Sequence, residues 1–367
     1  MPRTLIVAGS HRSGTSMVSK YIAESGVFLG DDLLGANQSN PYGHYEDREV
    51  MDIHNKILLD SGTNWRVDHR LVPRVADATF SAMSRFVERR HIAHPIWGFK
   101  DPRVCHFLPI WKSVAPDAKT LVVFRNPIAC TNSLYKRHGY DTARDPRKKV
   151  VDFYRKPDLA LKIWIVSNEA LADFAEANPE STLVVSHQAV IDGFPVTAEI
   201  NRRWDFELGA ESIDSVRDEV LGRSFDKALR VSDAGVAARA REVWNRLLKL
   251  EDITVTSSGH DKTAHPELRF VPQQDVGQLL MEAELLRFEN EFLRNARVAS
   301  GTADNSTELR KRLKSAKREL EAARQEVDTM RRDLAYLLGK ARKAPYNFFF
   351  GRKRGVRQLS EKYGLRD

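Results

Sequence analysis

The sequence predicts an α/β protein: a three-layer α/β/α core around a central parallel sheet, followed by a C-terminal α-helical coiled coil. Three observations predict it. A short apolar strand runs directly into a glycine-containing loop with phosphate-loop spacing. Strand-like and helix-like runs then alternate to about residue 255. Beyond residue 300, apolar residues recur at coiled-coil spacing. Strands that alternate with helices imply parallel pairing, with helices covering both faces of the sheet. The chain of 367 residues is 42% hydrophobic, enough for one large core or two modest ones.

Taken in order, the first strand covers residues 5–8 and feeds Gly9-Ser10-His11-Arg12-Ser13-Gly14-Thr15-Ser16 into a helix at 16–25. The spacing is that of the G-x-x-x-x-G-K-[ST] loop, with Thr15 in place of the lysine. Such a P-loop-like turn aims backbone N–H groups and the positive helix end at a phosphate. Without the lysine that reaches a β/γ-phosphate, the loop suits a nucleotide with a 5′ phosphate group and no triphosphate tail. Arg12 supplies positive charge from another position. Further strands fall at 96–99, 120–124 and 182–186, and further helices at 46–59, 75–89, 127–137 and 151–177. Pro157 breaks or restarts the last of these. In such a sheet, ligands bind beyond the carboxyl ends of the strands, where the loop lies.

The expected division is an α/β domain at 1–255, an edge at 256–272 rich in Ser, Thr, His and Pro, a helical coiled-coil region at 273–344 and a tail at 345–367. Apolar residues from Leu309 through Leu313, Ala316 and Leu320 to Leu337 keep a four–three spacing. Met281, Leu285, Phe288 and Phe292 do the same earlier. An antiparallel hairpin and two consecutive coiled-coil pieces both satisfy this pattern, and self-association (a homo-oligomer) or partner binding is the expected role. The tail joins Phe348, Phe349 and Phe350 to Arg352, Lys353 and Arg354. That pairing suits peripheral contact with an anionic membrane; a disordered basic tail fits as well. No recognised nucleic-acid motif accompanies the formal charge of +8, so nucleic acid is not an expected partner.

Two cysteines, Cys105 and Cys130, exclude a disulfide framework, and both read as small buried apolar residues. No signal peptide and no run of about 18 apolar residues is seen, so a soluble cytoplasmic location is expected, with membrane association through the tail. Trp65, Trp97, Trp111 and Trp164 are read mainly as core, and a basic loop at 138–149 with the helix at 151–177 as the acceptor side.

A second phosphate signal lies at the end of the third strand, where Arg125 is followed by Pro127 at a helix start and by Ser133 eight residues on. Arginine offers a charge-assisted fork to phosphate and serine a hydroxyl donor. Set beside the first loop, this pair resembles the sulfotransferases that use 3′-phosphoadenosine 5′-phosphosulfate (PAPS). The resemblance implies that Ser10, His11, Arg12, Ser13, Gly14, Thr15 and Ser16 hold the 5′-phosphosulfate, and Arg125 and Ser133 the 3′-phosphate. It extends to Gly98-Phe99-Lys100-Asp101-Pro102-Arg103, similar to the Lys-Asp-Pro segment of bacterial and protein-tyrosine members. It also includes Gly43-His44-Tyr45-Glu46, similar to the acidic Gly-x-x-Glu loop of many bacterial ones. The coiled coil lies outside it. Two departures are plain: the Lys-x-His of the cytosolic animal enzymes reads Lys100-Asp101-Pro102 here, and their C-terminal Arg-Lys-Gly-x-x-Gly-Asp-Trp is absent.

The resemblance implies sulfuryl transfer to a hydroxyl of a carbohydrate, glycolipid or other small acceptor. Lys100 and Arg12 would stabilise the moving charge and Glu46 would serve as general base. His44 and His11 are the other candidate bases. Structural roles compete: Lys100 paired with Asp101 or Glu46, and Glu46 at a helix N-terminus. No metal is implied. A P-loop small-molecule kinase and a non-catalytic coiled-coil scaffold are the rival functions.

Overall fold

Strands β1 (Arg3–Ala8), β2 (Ile96–Lys100), β3 (Lys119–Phe124) and β4 (Thr182–Ser186) form one parallel sheet in the order β2-β1-β3-β4. The computed structural model describes residues 2–35, 43–144, 152–209, 228–252, 267–272 and 287–295. The chain divides into two compact units, Met1–Gly277 and Gln278–Asp367, and the sheet belongs to the first. Apart from the first residues of β1, β2 and β3, every residue of the four strands is buried. Parallel strands covered on both faces carry apolar residues without polar alternation, as these do.

The period of two along each strand divides the core into two layers. Ile6, Ala8, Phe99, Val122, Phe124 and Val184 face one cluster. Leu5, Val7, Leu121, Val123, Leu183 and Val185 face the other. The first layer is covered by α2 (Arg48–Asp60), α3 (Asp77–Ala93), α4 (Leu108–Val114) and α7 (Leu159–Ala177). The second is covered by α1 (Thr15–Glu24), and by Val190 and Ile200 from the C-terminal helices α8 (His187–Ile191) and α9 (Val196–Trp204). Each fully buried Val, Leu, Ile or Phe contributes about 1.5–3 kcal/mol, so these two layers dominate the stability. The three-layer α/β/α core with a parallel sheet is therefore the architecture of this unit.

Helix starts are set by local chemistry. Asp47 caps α2, its Oδ1 accepting from Glu49 N at 2.9 Å, so the helix expected at 46–59 begins at Arg48. Asn126 Oδ1 accepts from Ile128 N and Ala129 N at 2.9 and 3.2 Å ahead of α5 (Pro127–Arg144), where proline occupies the first turn. α5 runs past 137, so residues 138–144 of the expected loop are helical. The helix expected at 151–177 is broken around Pro157 into α6 (Asp152–Arg155) and α7, with Asp158 in the left-handed region at φ 58°.

Segment 256–272 contributes β6 (Phe270–Pro272), which pairs in parallel with β5 (Leu229–Val231) beside α10 (Ala234–Leu250). Leu229, Val231, Val243 and Trp244 from these elements join the first core layer. Cys105 and Cys130 are both buried and free. Trp97, Trp111 and Trp164 are core residues, while Trp65 is only half-buried. In the second unit, residues 287–295 are helical and Phe288 and Phe292 are buried. Met281, Leu285, the heptads at 309–337 and the tail at 345–367 lie outside the described residues. Among the described residues no helix is long and apolar enough to cross a membrane.

Candidate active site

The loop between β1 and α1 closes on itself. Ser13 N donates to Ser10 O at 3.1 Å, and the two serine hydroxyls lie 2.7 Å apart, both buried. Gly14 is the N-cap of α1 at φ 87°, a left-handed conformation that glycine adopts without strain. It provides no side-chain cap, and the first turn of α1 holds no acidic residue. The positive end of the helix therefore faces the loop without a competing carboxylate. Arg12 is also left-handed, at φ 69°, and a non-glycine residue there costs free energy that its surroundings must offset. Its carbonyl accepts from Arg125 Nη1 at 3.4 Å and contacts Cys130 Sγ at 3.5 Å.

Arg12 Nε donates to Ser133 Oγ at 2.9 Å. The two sets of residues expected from the sequence to bind phosphate, Arg12 on one side and Arg125 with Ser133 on the other, thus meet in one cluster. Arg137 belongs to it too, one helical turn beyond Ser133 on α5. Burial, then the positive charges of Arg137 and Arg125, pull the Arg12 guanidinium down to about 10, still fully charged at neutral pH. Burial also lowers Arg125. Three arginines thus converge where the β1–α1 loop meets α5, a concentration of positive charge suited to an anion.

On the other side of the loop, Lys100 at the end of β2 is 2% exposed and Glu46 is 7% exposed. Lys100 Nζ donates to Glu46 Oε1 at 2.8 Å and to Ser16 Oγ, in the first turn of α1, at 3.2 Å. His44 Nδ1 lies 3.8 Å from the same Glu46 oxygen, and the His44 carbonyl accepts from Ser16 Oγ at 3.4 Å. Since Asp47 does the capping of α2, Glu46 is not a helix-capping carboxylate. Asp101 pairs instead with Arg103 and His54.

Histidines ring the site and are kept neutral. Burial, then Arg137, Lys100 and Arg12, pushes His44 down to about 4. Burial, then His54, does the same to His106. His11 is lowered well below its ordinary value by burial and by Arg103, and its ring meets Trp65 edge-on at 4.9 Å. His187, immediately after β4, is lowered by burial and Arg125 and packs on Gly14. Sequence reasoning missed His187, Arg103 and Arg137 as site residues. The spacing of four from Ser133 to Arg137 and the position of His187 at a strand's carboxyl end were the available signals.

These depressed values carry a stability consequence. Between about pH 4 and 6.5 the unfolded chain binds protons at His44 and His106 that the native state refuses, so stability rises with pH across that window. The melting temperature of the protein should start to fall as pH drops below about 6.5, before carboxylates protonate. A melting temperature constant from pH 7 to 5 in calorimetric scans would contradict this burial of neutral imidazoles.

No family model matches the sequence, and no curated protein matches it. Among solved structures, the fold is similar to sulfotransferase STF9 from Mycobacterium avium, with 16% identity over 69% of this chain and 78% of that one and a TM-score of 0.42. It is similar to sulfotransferase STF1 from Mycobacterium tuberculosis H37Rv, with 13% identity over 67% and 76% and a TM-score of 0.32. A sulfotransferase domain from the curacin biosynthetic pathway gives 14% identity over 65% and 83%, also at 0.32. Likeness at this level carries no weight for activity, which has to be argued from the side chains.

Proposed function

We propose that this chain transfers a sulfuryl group from PAPS to a hydroxyl of a carbohydrate, glycolipid or other small acceptor. The observation that supports it most is the contact of Lys100 with both Glu46 and Ser16: a cation, a candidate base and the phosphate-loop helix share one hydrogen-bonded set. In the reaction the acceptor oxygen bonds to sulfur as the bond from sulfur to the 5′-phosphate oxygen breaks. The acceptor proton passes to Glu46, and adenosine 3′,5′-bisphosphate leaves with the extra negative charge. Lys100 and Arg12 stabilise that charge, with the N–H groups of the Ser13–Ser16 turn as further donors. Arg125 and Ser133 bind the 3′-phosphate.

Of the candidate bases, Glu46 fits best. It is joined through Lys100 Nζ to the first turn of α1, whereas His44 Nδ1 reaches that set only at 3.8 Å and the His11 ring packs on Trp65. Calorimetry with the full chain is expected to show binding of adenosine 3′,5′-bisphosphate in preference to ATP. Arg125→Ala should weaken that binding by about 10²-fold, the scale of a lost charge-assisted fork. Preference for ATP would sink the reading in favour of a kinase.

A further inference from the structure

Behind Glu46 lies a second polar set that the reaction as written does not use. Asp101 is wholly buried; it accepts from Arg103 N at 2.8 Å, from Arg103 Nε at 2.7 Å and from Arg103 Nη2. His54 Nδ1, from α2, lies 3.1 Å from Asp101 Oδ1. Trp111 Nε1, from α4, donates to His54 Nε2 at 2.8 Å. An indole nitrogen only donates, so the His54 ring is neutral with its proton on Nδ1, facing Asp101. Burial alone would raise the Asp101 carboxyl, but His54 and Arg103 outweigh it and hold the group well below the usual carboxylate range. Asp101 is a fixed anion, braced from two helices.

The guanidinium it fixes reaches outward. Arg103 Nη1 donates to Asn55 Oδ1 at 2.8 Å, and Nη2 lies 3.7 Å from Glu46 Oε2. The planar fork satisfies Asp101 with Nε and one Nη2 hydrogen and leaves the other Nη2 hydrogen toward Glu46. Lys100 holds the opposite oxygen, Oε1, at 2.8 Å. Glu46 itself sits on non-helical backbone just after Tyr45, which is left-handed at φ 54°, so its direction is set mainly by these two cations.

We propose that Arg103 is a positioning residue: anchored on Asp101 and Asn55, it holds the Oε2 side of Glu46 so that Oε1 stays aimed at the acceptor when Lys100 turns to the donor. This rests on the sulfotransferase reading. A buried carboxylate that loses its closest partner is destabilised, and Arg103 offsets part of that penalty at the step where Lys100 is needed elsewhere. A lysine at 103 would keep the charge, but its three N–H donors sit on one nitrogen and cannot span Asp101, Asn55 and Glu46 as the planar fork does.

The test compares wild type, Arg103→Lys, Arg103→Gln, Glu46→Gln and the Arg103→Gln/Glu46→Gln double variant of the full chain. Affinity for adenosine 3′,5′-bisphosphate is measured by calorimetry, and its release from PAPS in single turnover, with 2-naphthol as the probe acceptor. Affinity should stay within about threefold, while the rate falls about 10–100-fold in both Arg103 variants, the scale of an ångström-level misplacement. In the Glu46→Gln background the Arg103→Gln change should add less than about twofold, because residues acting as a unit are not additive. An undiminished rate in Arg103→Lys, or a full further loss in the double variant, overturns the proposal. A crystal structure of Arg103→Lys with adenosine 3′,5′-bisphosphate gives a readout independent of the acceptor: Glu46 unmoved there overturns it too. Failure of wild type to bind the bisphosphate would instead strike the sulfotransferase reading itself.

Discussion

Replacing Lys100 with methionine is expected to lower sulfuryl transfer by about 10²–10³-fold, the loss seen when one preorganised donor to developing negative charge is removed. The same substitution should destabilise the protein by about 3–5 kcal/mol, because Glu46 would keep a buried charge without its main partner. Both effects come from one atom, since Nζ contacts Glu46 Oε1 and Ser16 Oγ while the rest of the side chain is packed. Methionine keeps the apolar stem, so packing loss is small. The two effects separate in a second variant. Lys100→Met/Glu46→Gln removes the orphaned charge and should regain most of the stability in urea titrations, with no recovery of turnover. If the double variant is less stable than Lys100→Met, the pair does not depend on mutual neutralisation and this account of Glu46 is wrong.

Gly14→Ala is expected to cost nearly as much function by a different route. At φ 87° an alanine pays about 1–2 kcal/mol for the left-handed backbone alone. Its Cβ would also stand 2.2 Å from His187 Cδ2 and 2.9 Å from Nε2. The imidazole is 6% exposed and has little room to retreat, so the loop must move instead. Displacing the loop turns its N–H groups off the phosphate, and affinity for adenosine 3′,5′-bisphosphate should fall about 10²-fold. His187→Ala in the same chain opens the space and should restore binding in part, leaving only the backbone term. Wild-type affinity in Gly14→Ala by itself would show that this loop does not hold the nucleotide.

The four central strands were legible because parallel strands buried on both faces need uninterrupted apolar runs, and residues 5–8, 96–99, 120–124 and 182–186 supply them. Helix ends were less so. Nothing in the pair Glu46-Asp47 says which acid caps α2; the shorter side chain reaches Glu49 N, and that geometry leaves Glu46 to Lys100. α10 carries a plain pattern, with Ala240, Val243, Trp244 and Leu247 buried at helical spacing behind the Asp233 cap, but no helix was expected there. Its three arginines, Arg239, Arg241 and Arg246, dilute the apolar signal.

The site divides in the same way. Arg12, Lys100 and Arg125 each stand at the end of a strand or in the turn that follows, where position alone points to ligand binding, while Ser133 lies in the second turn of α5 and is found by its spacing of eight from Arg125. Arg103 stands in the Lys-Asp-Pro segment, but what it does depends on Asn55 and His54, contributed by a helix from the far side of the sequence. His187 acquires meaning only through its contact with Gly14. Spacing along a chain reports neighbours on one element; it is silent on pairs assembled from separate ones.

The place of β1 in the middle of the sheet bears on how the chain is made. It emerges during synthesis before either of its neighbours, β2 at Ile96–Lys100 and β3 at Lys119–Phe124. At about 5–20 residues per second, β1 waits on the order of 5–20 s with unpaired backbone and apolar side chains in solvent. Gly9, where a Cβ would lie 2.4 Å from the Val123 carbonyl oxygen, takes its place only once β3 has docked. The β1–α1 loop is translated before the strands that shape it, so a nascent chain arrested before β3 holds the motif without the pocket.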